Sequence, residues 1–125
     1  MTNCAEIADY EWLTGPAAAV ILRDLADRNA PLHSVAERLR RDHSAGRVPL
    51  LLEQVELRRR AADKFPNADS LFLTRVGLEQ ATDAWIAAHK ARRFVGRGPV
   101  ADLCCGIGGD LLALGDVGPT TGVDR

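Results

Sequence analysis

The sequence predicts two parts. Residues 1–95 read as a mainly α N-terminal region, and residues 96–125 as the first β-α-β unit of an α/β domain. Three observations predict this. The apolar run Pro99-Val100-Ala101-Asp102-Leu103 enters the glycine-rich turn Gly106-Ile107-Gly108-Gly109, and the helical pattern Leu111-Leu112-Ala113-Leu114 follows directly. A second short strand, Thr120-Thr121-Gly122-Val123, then ends in the carboxylate of Asp124. Upstream, apolar residues recur at helical spacing between breaks made by proline and glycine.

Taken in order, Cys4 to Leu13 is a short mixed segment in which Ile7, Tyr10, Trp12 and Leu13 are available for packing. Thr14-Gly15-Pro16 breaks it and starts a helix, because proline is tolerated in a first turn. Ala18, Ile21, Leu22 and Leu25 share one face of that helix, and Asn29-Ala30-Pro31 ends it. Ser34 and Glu37 have capping-box spacing beside the apolar strip Val35, Ala36 and Leu39. After Ser44-Ala45-Gly46 the longest helix is expected from Pro49 to Phe65, striped by Leu51, Val55, Ala62 and Phe65. Pro66-Asn67-Ala68-Asp69 closes it, and Leu71-Phe72-Leu73 is a short extended piece. Thr74 is placed to cap a single turn carrying Leu78. Thr82 or Asp83 is placed to cap a helix from Ala84 to Phe94, with Trp85 and Ile86 expected to anchor it to the sheet face. Gly96, Gly98 and Pro99 separate that helix from the motif strand.

The order strand, tight turn, helix is the opening of a nucleotide- or cofactor-binding unit. Closely spaced glycines accept dihedrals that a side chain forbids, and they let a ligand approach the main chain. Gly109 would allow close contact between helix and strand, and Asp124 is suited to gripping the 2′ and 3′ hydroxyls of a ribose.

Asp102-Leu103-Cys104-Cys105-Gly106-Ile107-Gly108-Gly109-Asp110 resembles the first motif of class I S-adenosylmethionine-dependent methyltransferases. It is especially similar to the D-x-x-C-G-x-G-G pattern of the trimethylguanosine-synthase-like branch. Lys64-Phe65-Pro66, Leu71-Phe72-Leu73-Thr74-Arg75 and Gly77-Leu78-Glu79-Gln80-Ala81-Thr82 resemble the helical lead-in of THUMP-like methyltransferases. The resemblance implies a Rossmann-like α/β methyltransferase domain, present here only in its first unit, with S-adenosyl-L-methionine as cofactor. It implies cofactor-binding roles for Asp102 near the methionine amino group, for Gly106 and Gly108 beneath the cofactor, and for Cys104, Gly109 and Asp124 around it. In related methyltransferases a segment before the first strand folds over the cofactor, which would make Phe72, Thr74 and Arg75 part of its entrance, whereas Leu71 and Phe72 taken singly read first as ordinary core residues.

A dinucleotide site is the nearest competitor. However, the turn has no third glycine three positions after Gly108, and Asp110 in the first helical turn would repel a pyrophosphate. A sulfonium cofactor carries positive charge instead, so acidic groups there are tolerable. No lysine follows the turn as a phosphate loop requires. Cys104 and Cys105 do not form C-x-x-C, and His33, His43 and His89 are scattered, so no metal site is expected. Inert packing accounts for the cysteine pair.

The net charge of −1 provides no global attraction to nucleic acid or membrane. Locally, residues 84–101 hold no acid, while Lys90, Arg92, Arg93 and Arg97 make a candidate RNA-phosphate patch. Arg58-Arg59-Arg60 is interleaved with Glu53, Glu56 and Asp63 and reads equally well as a solvated helix surface. No membrane-span or secretion-signal pattern appears, and three cysteines make no disulfide framework, so a reducing cytoplasm is the expected home. Two parallel strands do not complete a doubly wound sheet, so the chain is expected to be the N-terminal part of a longer methyltransferase acting on RNA. The Asn/Asp-Pro-Pro-aromatic motif of amino-directed nucleic-acid enzymes is absent, no catalytic residue is identified, and the chain alone is expected to be inactive. The competing expectation is a helical RNA-binding or protein-interaction module whose glycine segment is only a turn.

Overall fold

The computed structural model describes residues 5–28 and 30–125. Cys4 and Asn29, which the sequence reading placed in the first segment and at a helix end, lie outside the described residues. The chain divides into two compact units, residues 1–60 with 69–72, and residues 61–68 with 73–125. The helix before the glycine turn groups with that turn in the second unit.

The first unit contains α1 (Ile7–Leu13), α2 (Pro16–Arg28), α3 (Leu32–Asp42) and most of α4 (Arg47–Ala61). Pro16 opens α2, where the missing N–H costs nothing because a first-turn amide has no intrahelical acceptor. The face expected for α2 is the one buried: Ala18, Leu22 and Leu25 join Leu13, Val35, Leu39, Val48, Leu51 and Val55 in one core, with Ile21 packed at its edge. Of the apolar residues of α1 only Leu13 is buried, whereas Ile7 and Tyr10 are exposed. The expected capping box of α3 does not form. Pro31 occupies the N-cap, and Ser34 Oγ donates to the Pro31 carbonyl at 2.9 Å, spending its hydroxyl on a carbonyl instead of a first-turn amide.

Helix α4 starts before Pro49, which sits within its first turn, and ends at Ala61 instead of Phe65. The expected stripe is correct at Leu51 and Val55, but Ala62 lies past the helix end and is exposed. The arginines expected on a solvated face are partly structural. Arg58 is buried, donates from Nε to the Leu71 carbonyl at 2.9 Å, and stacks 5.3 Å from the Phe72 ring centroid. Burial lowers its pKa, partly offset by Asp69. Arg59 donates to the Ala30 carbonyl at 2.9 Å. These contacts place Phe72 beside Arg58.

The second unit contains α5 (Arg75–Gln80), α6 (Ala84–Ala91) continued by a 3-10 turn (Arg92–Phe94), β1 (Val100–Asp102), α7 (Gly109–Val117) and β2 (Thr120–Gly122). Both expected caps form. Thr74 Oγ1 accepts from Gly77 N at 3.0 Å, and Asp83 Oδ1 accepts from Ile86 N at 2.9 Å. Lys64 joins the two short helices: its Nζ donates to the Leu78 carbonyl at 2.8 Å, and its own carbonyl accepts from Ala84 N at 3.1 Å. β1 and β2 pair in parallel, Val100 with Thr120, Ala101 with Thr121 and Asp102 with Gly122, and α7 is the connection between them. This is one β-α-β unit with a two-stranded sheet.

Helix α6 packs on α7 through Ala87 and Ala91, both buried, with small side chains that permit close approach. That phase turns Trp85 and Ile86 outward. Trp85 is 87% exposed, so the expected anchoring by Trp85 and Ile86 is replaced by an alanine seam.

Leu51 has no exposed surface in the α1–α4 core. Leu51→Ala is expected to destabilise the helical unit by about 2–5 kcal/mol, the usual result of a large-to-small change in a packed core. Urea unfolding followed by far-ultraviolet circular dichroism measures it, and a change within error would contradict the packing described.

Candidate cofactor site at the glycine corner

β1 ends at Asp102, and α7 begins at Gly109 after six intervening residues. Gly106 (φ +54°) and Gly108 (φ +89°) both adopt left-handed backbone within that turn, a region other residues enter at a cost. The turn is tied by Gly108 N to the Cys105 carbonyl at 2.8 Å, and Cys105 N reaches the Val123 carbonyl at 3.2 Å. The parallel pairing thus continues past β1 and brings residues 123–124 beside the turn.

Two carboxylates serve the corner. Asp102 Oδ1 accepts from Cys104 N at 3.3 Å. Asp124 Oδ2 accepts from Gly106 N at 2.6 Å, and its Oδ1 accepts from Arg125 N at 2.6 Å. Those N–H groups, Arg125 first and Gly106 second, hold the Asp124 carboxyl below its usual range. Each carboxylate oxygen keeps lone-pair capacity after accepting one such bond.

A cavity of about 480 Å³ opens over this corner, within the range of small-molecule sites. Asp102, Cys104, Gly106, Gly109 and Asp124, five of the six residues named from the sequence as cofactor-binding, line it. Gly108 does not. It is buried and supplies the N-cap of α7. Space beside Gly106 is open where a Cβ would stand, so its main chain is accessible to a ligand. Gly109 allows a close approach, but not to a strand: a Cβ there would lie 2.7 Å from the Thr82 carbonyl oxygen. Cys104 is exposed at the cavity and Cys105 half-buried, and both thiols are free. Among the described residues no group of three or more His, Cys, Asp and Glu forms a metal cluster, and no helix is long and apolar enough to cross a membrane.

Sequence reasoning missed the opposite wall. Gln80, Ala81 and Thr82 line the cavity with Asp110. It also misjudged the charge of Asp110. Lys90 Nζ lies 2.6 Å from Asp110 Oδ2 and 3.2 Å from Thr82 Oγ1, and Thr82 Oγ1 donates to the same oxygen at 3.0 Å. Asp110 is therefore compensated, and its charge no longer argues against a phosphate at the turn. Lys90 is correspondingly engaged in an ion pair, while Arg92, Arg93 and Arg97 are exposed. A basic residue eight positions after a helix-leading threonine was the available signal, but the reach from Lys90 to Asp110 exists only once α6 and α7 pack.

The corner therefore presents a carboxylate at each end of the turn and an open glycine main chain, with Arg125 also lining the cavity. Comparisons with known proteins agree in part. A family model described as a domain of unknown function (DUF8688) matches residues 6–61, the stretch of α1 to α4. Two proteins of Mycobacterium tuberculosis, from strains CDC 1551 / Oshkosh and ATCC 25618 / H37Rv, are 46% identical to this chain over 74 residues. They are named uncharacterized S-adenosylmethionine-dependent methyltransferases MT3122 and Rv3037c. The match covers 54% of this chain and 20% of each relative, so the chain spans about a fifth of their length. The similarity is to proteins named as methyltransferases and does not reach to a branch or a substrate. No solved structure gives a significant match.

The depressed Asp124 pKa has a definite sign. The carboxylate contact with Gly106 N is fully present above the ordinary aspartate pKa of about 3.9 and is lost as pH falls through the lowered folded value. Carboxyl-detected NMR is expected to find Asp124 titrating below the ordinary value, with the Gly106 amide shift following it. Titration at or above the ordinary value would remove the tether.

Proposed function

We propose that the chain is the N-terminal part of an S-adenosylmethionine-dependent methyltransferase of the THUMP-like, trimethylguanosine-synthase-like branch, acting on RNA, and that the glycine corner holds its cofactor. The observation that carries this reading is the pairing of Asp102 and Asp124 across an open Gly106 main chain in one cavity. The 46% identity to named methyltransferases and the small share of their length covered here support it.

Under this reading the bound cofactor supplies a methyl group activated by a sulfonium centre. Asp102, at the end of β1, offers an acceptor to the amino group of the methionine portion, while its Oδ1 keeps the Leu103–Cys104 turn in place. Asp124, after β2, offers its remaining lone pairs to the ribose hydroxyls, and its bond to Gly106 N fixes the distance between the two strand ends. Gly106 lets the ligand lie against the main chain, and Gly108 starts α7 beneath it. Cys104 contributes a small exposed wall. These residues bind and orient, and the groups that select and align a target base belong to the rest of the enzyme. The chain by itself is inactive on this reading.

The RNA contact is assigned to Arg92, Arg93 and Arg97, which are exposed along the end of α6 and the turn after it. Lys90, counted with them from the sequence, is instead spent largely on Asp110. Phosphate contacts of this kind release counterions, so they reveal themselves in salt dependence.

Calorimetric titration of the full-length protein with S-adenosylmethionine tests the cofactor site. Asp102→Ala and Asp124→Ala are each expected to weaken binding about tenfold or more, the loss of a charge-assisted hydrogen bond. Unchanged affinity in both would sink the assigned roles and favour the helical interaction module. For RNA, replacing Arg92, Arg93 and Arg97 by alanine together is expected to flatten the log–log salt slope by about 2–3. A slope identical to that of the wild type would free those arginines of the role.

A further inference from the structure

The segment Gln80-Ala81-Thr82 forms one wall of the cavity, where α5 ends and the connection to α6 begins. Three contacts hold it to the start of α7. The Thr82 main chain lies so close to Gly109 that a Cβ there would sit 2.7 Å from its carbonyl oxygen. Thr82 Oγ1 donates to Asp110 Oδ2 at 3.0 Å. Lys90, two turns along α6, returns its ammonium to both groups, 2.6 Å from Asp110 Oδ2 and 3.2 Å from Thr82 Oγ1. The other carboxylate oxygen, Asp110 Oδ1, is buried with no partner among the described residues. The compensation of Asp110 therefore comes through Oδ2 alone.

We infer that Lys90 is a positioning residue. Acting through Asp110 and Thr82, it fixes residues 80–82 as a rigid wall of the cofactor cavity, an assignment that rests on the cofactor reading above. The magnitudes favour positioning over stabilisation. The Lys90 and Asp110 side chains are 43% and 34% exposed, and ion pairs of that exposure add little to global stability. What the pair does supply is direction. The ammonium meets the Thr82 hydroxyl and the Asp110 carboxylate together, so its loss removes the contact that bridges the Thr82 segment to α7 through a third residue. Lys90 touches no cofactor atom on this account. It does not line the cavity that Asp110 and Thr82 line.

The test uses the full-length protein and two independent readouts. Amide hydrogen exchange without ligand reads the segment itself. Lys90→Met is expected to raise exchange at residues 80–83 and 109–112 while the unfolding midpoint stays close to that of the wild type, and Lys90→Arg is expected to restore protection. Thr82→Val should act in the same direction as Lys90→Met and add little to it, because both remove one shared contact. Calorimetry then reads the cavity with S-adenosylmethionine, which is cationic at sulfur, and with S-adenosylhomocysteine, which is not. Lys90→Met is expected to weaken both by at least about fivefold, the low end of coupling between linked sites, and to a similar extent. Tighter S-adenosylmethionine binding with unchanged S-adenosylhomocysteine would mean that Lys90 acts only through its charge, and would overturn the inference. A wild type that binds neither nucleoside defeats the cofactor reading and the wall's role with it. Unchanged exchange in Lys90→Met overturns the positioning whether or not the nucleosides bind.

Discussion

The second unit depends on a reversal of the chain completed in six residues, from the end of β1 at Asp102 to the start of α7 at Gly109. That reversal requires left-handed backbone at Gly106 and Gly108, which other residues adopt only at a cost. Once made, it lets α7 return the chain to pair β2 beside β1, and so delivers Asp124 to the turn from which it started. The corner, the parallel pairing and the two carboxylates are consequences of one another. Loss of the turn geometry would separate all three.

The packing of α6 on α7 sets the rest of that unit. Alanines at 87 and 91 bring the two helices close, and the same phase decides two other matters. It exposes Trp85 and Ile86, and it turns Lys90 toward Asp110. An acid that would by itself repel a phosphate thereby becomes half of a neutral pair. The carboxylates left facing the turn are Asp102 and Asp124, each of which anchors one of its main-chain N–H groups. In the first unit, burial makes a comparable change to a charged residue. Arg58 lies under Phe72 and bonds the Leu71 carbonyl, so an apparent surface cation closes a loop.

The fold was legible in the sequence where local chemistry decides it. Pro16 at a helix start, the Thr74 and Asp83 caps, the Leu22–Leu25 face and the strand–glycine–helix order are all readable within a few residues of themselves. Five of the six proposed cofactor residues line one cavity for the same reason, since the turn and the strand ends that carry them are local features. The failures share a different cause. Gly109 meets the Thr82 main chain instead of a strand, and Trp85 is exposed instead of anchoring its helix. Each of these depends on what lies nearby in space.

The sequence alone determined the helical lead-in, the β-α-β order and the glycine corner with an acid at each end, because dihedral freedom, caps and apolar period are properties of neighbouring residues. Tertiary structure alone decided that Gln80–Thr82 forms the facing wall, that Lys90 neutralises Asp110 and that Trp85 points outward. Those outcomes follow from the rotation of α6 against α7. A helix's own sequence leaves that rotation open until a second surface, here one that admits alanine most closely, selects it.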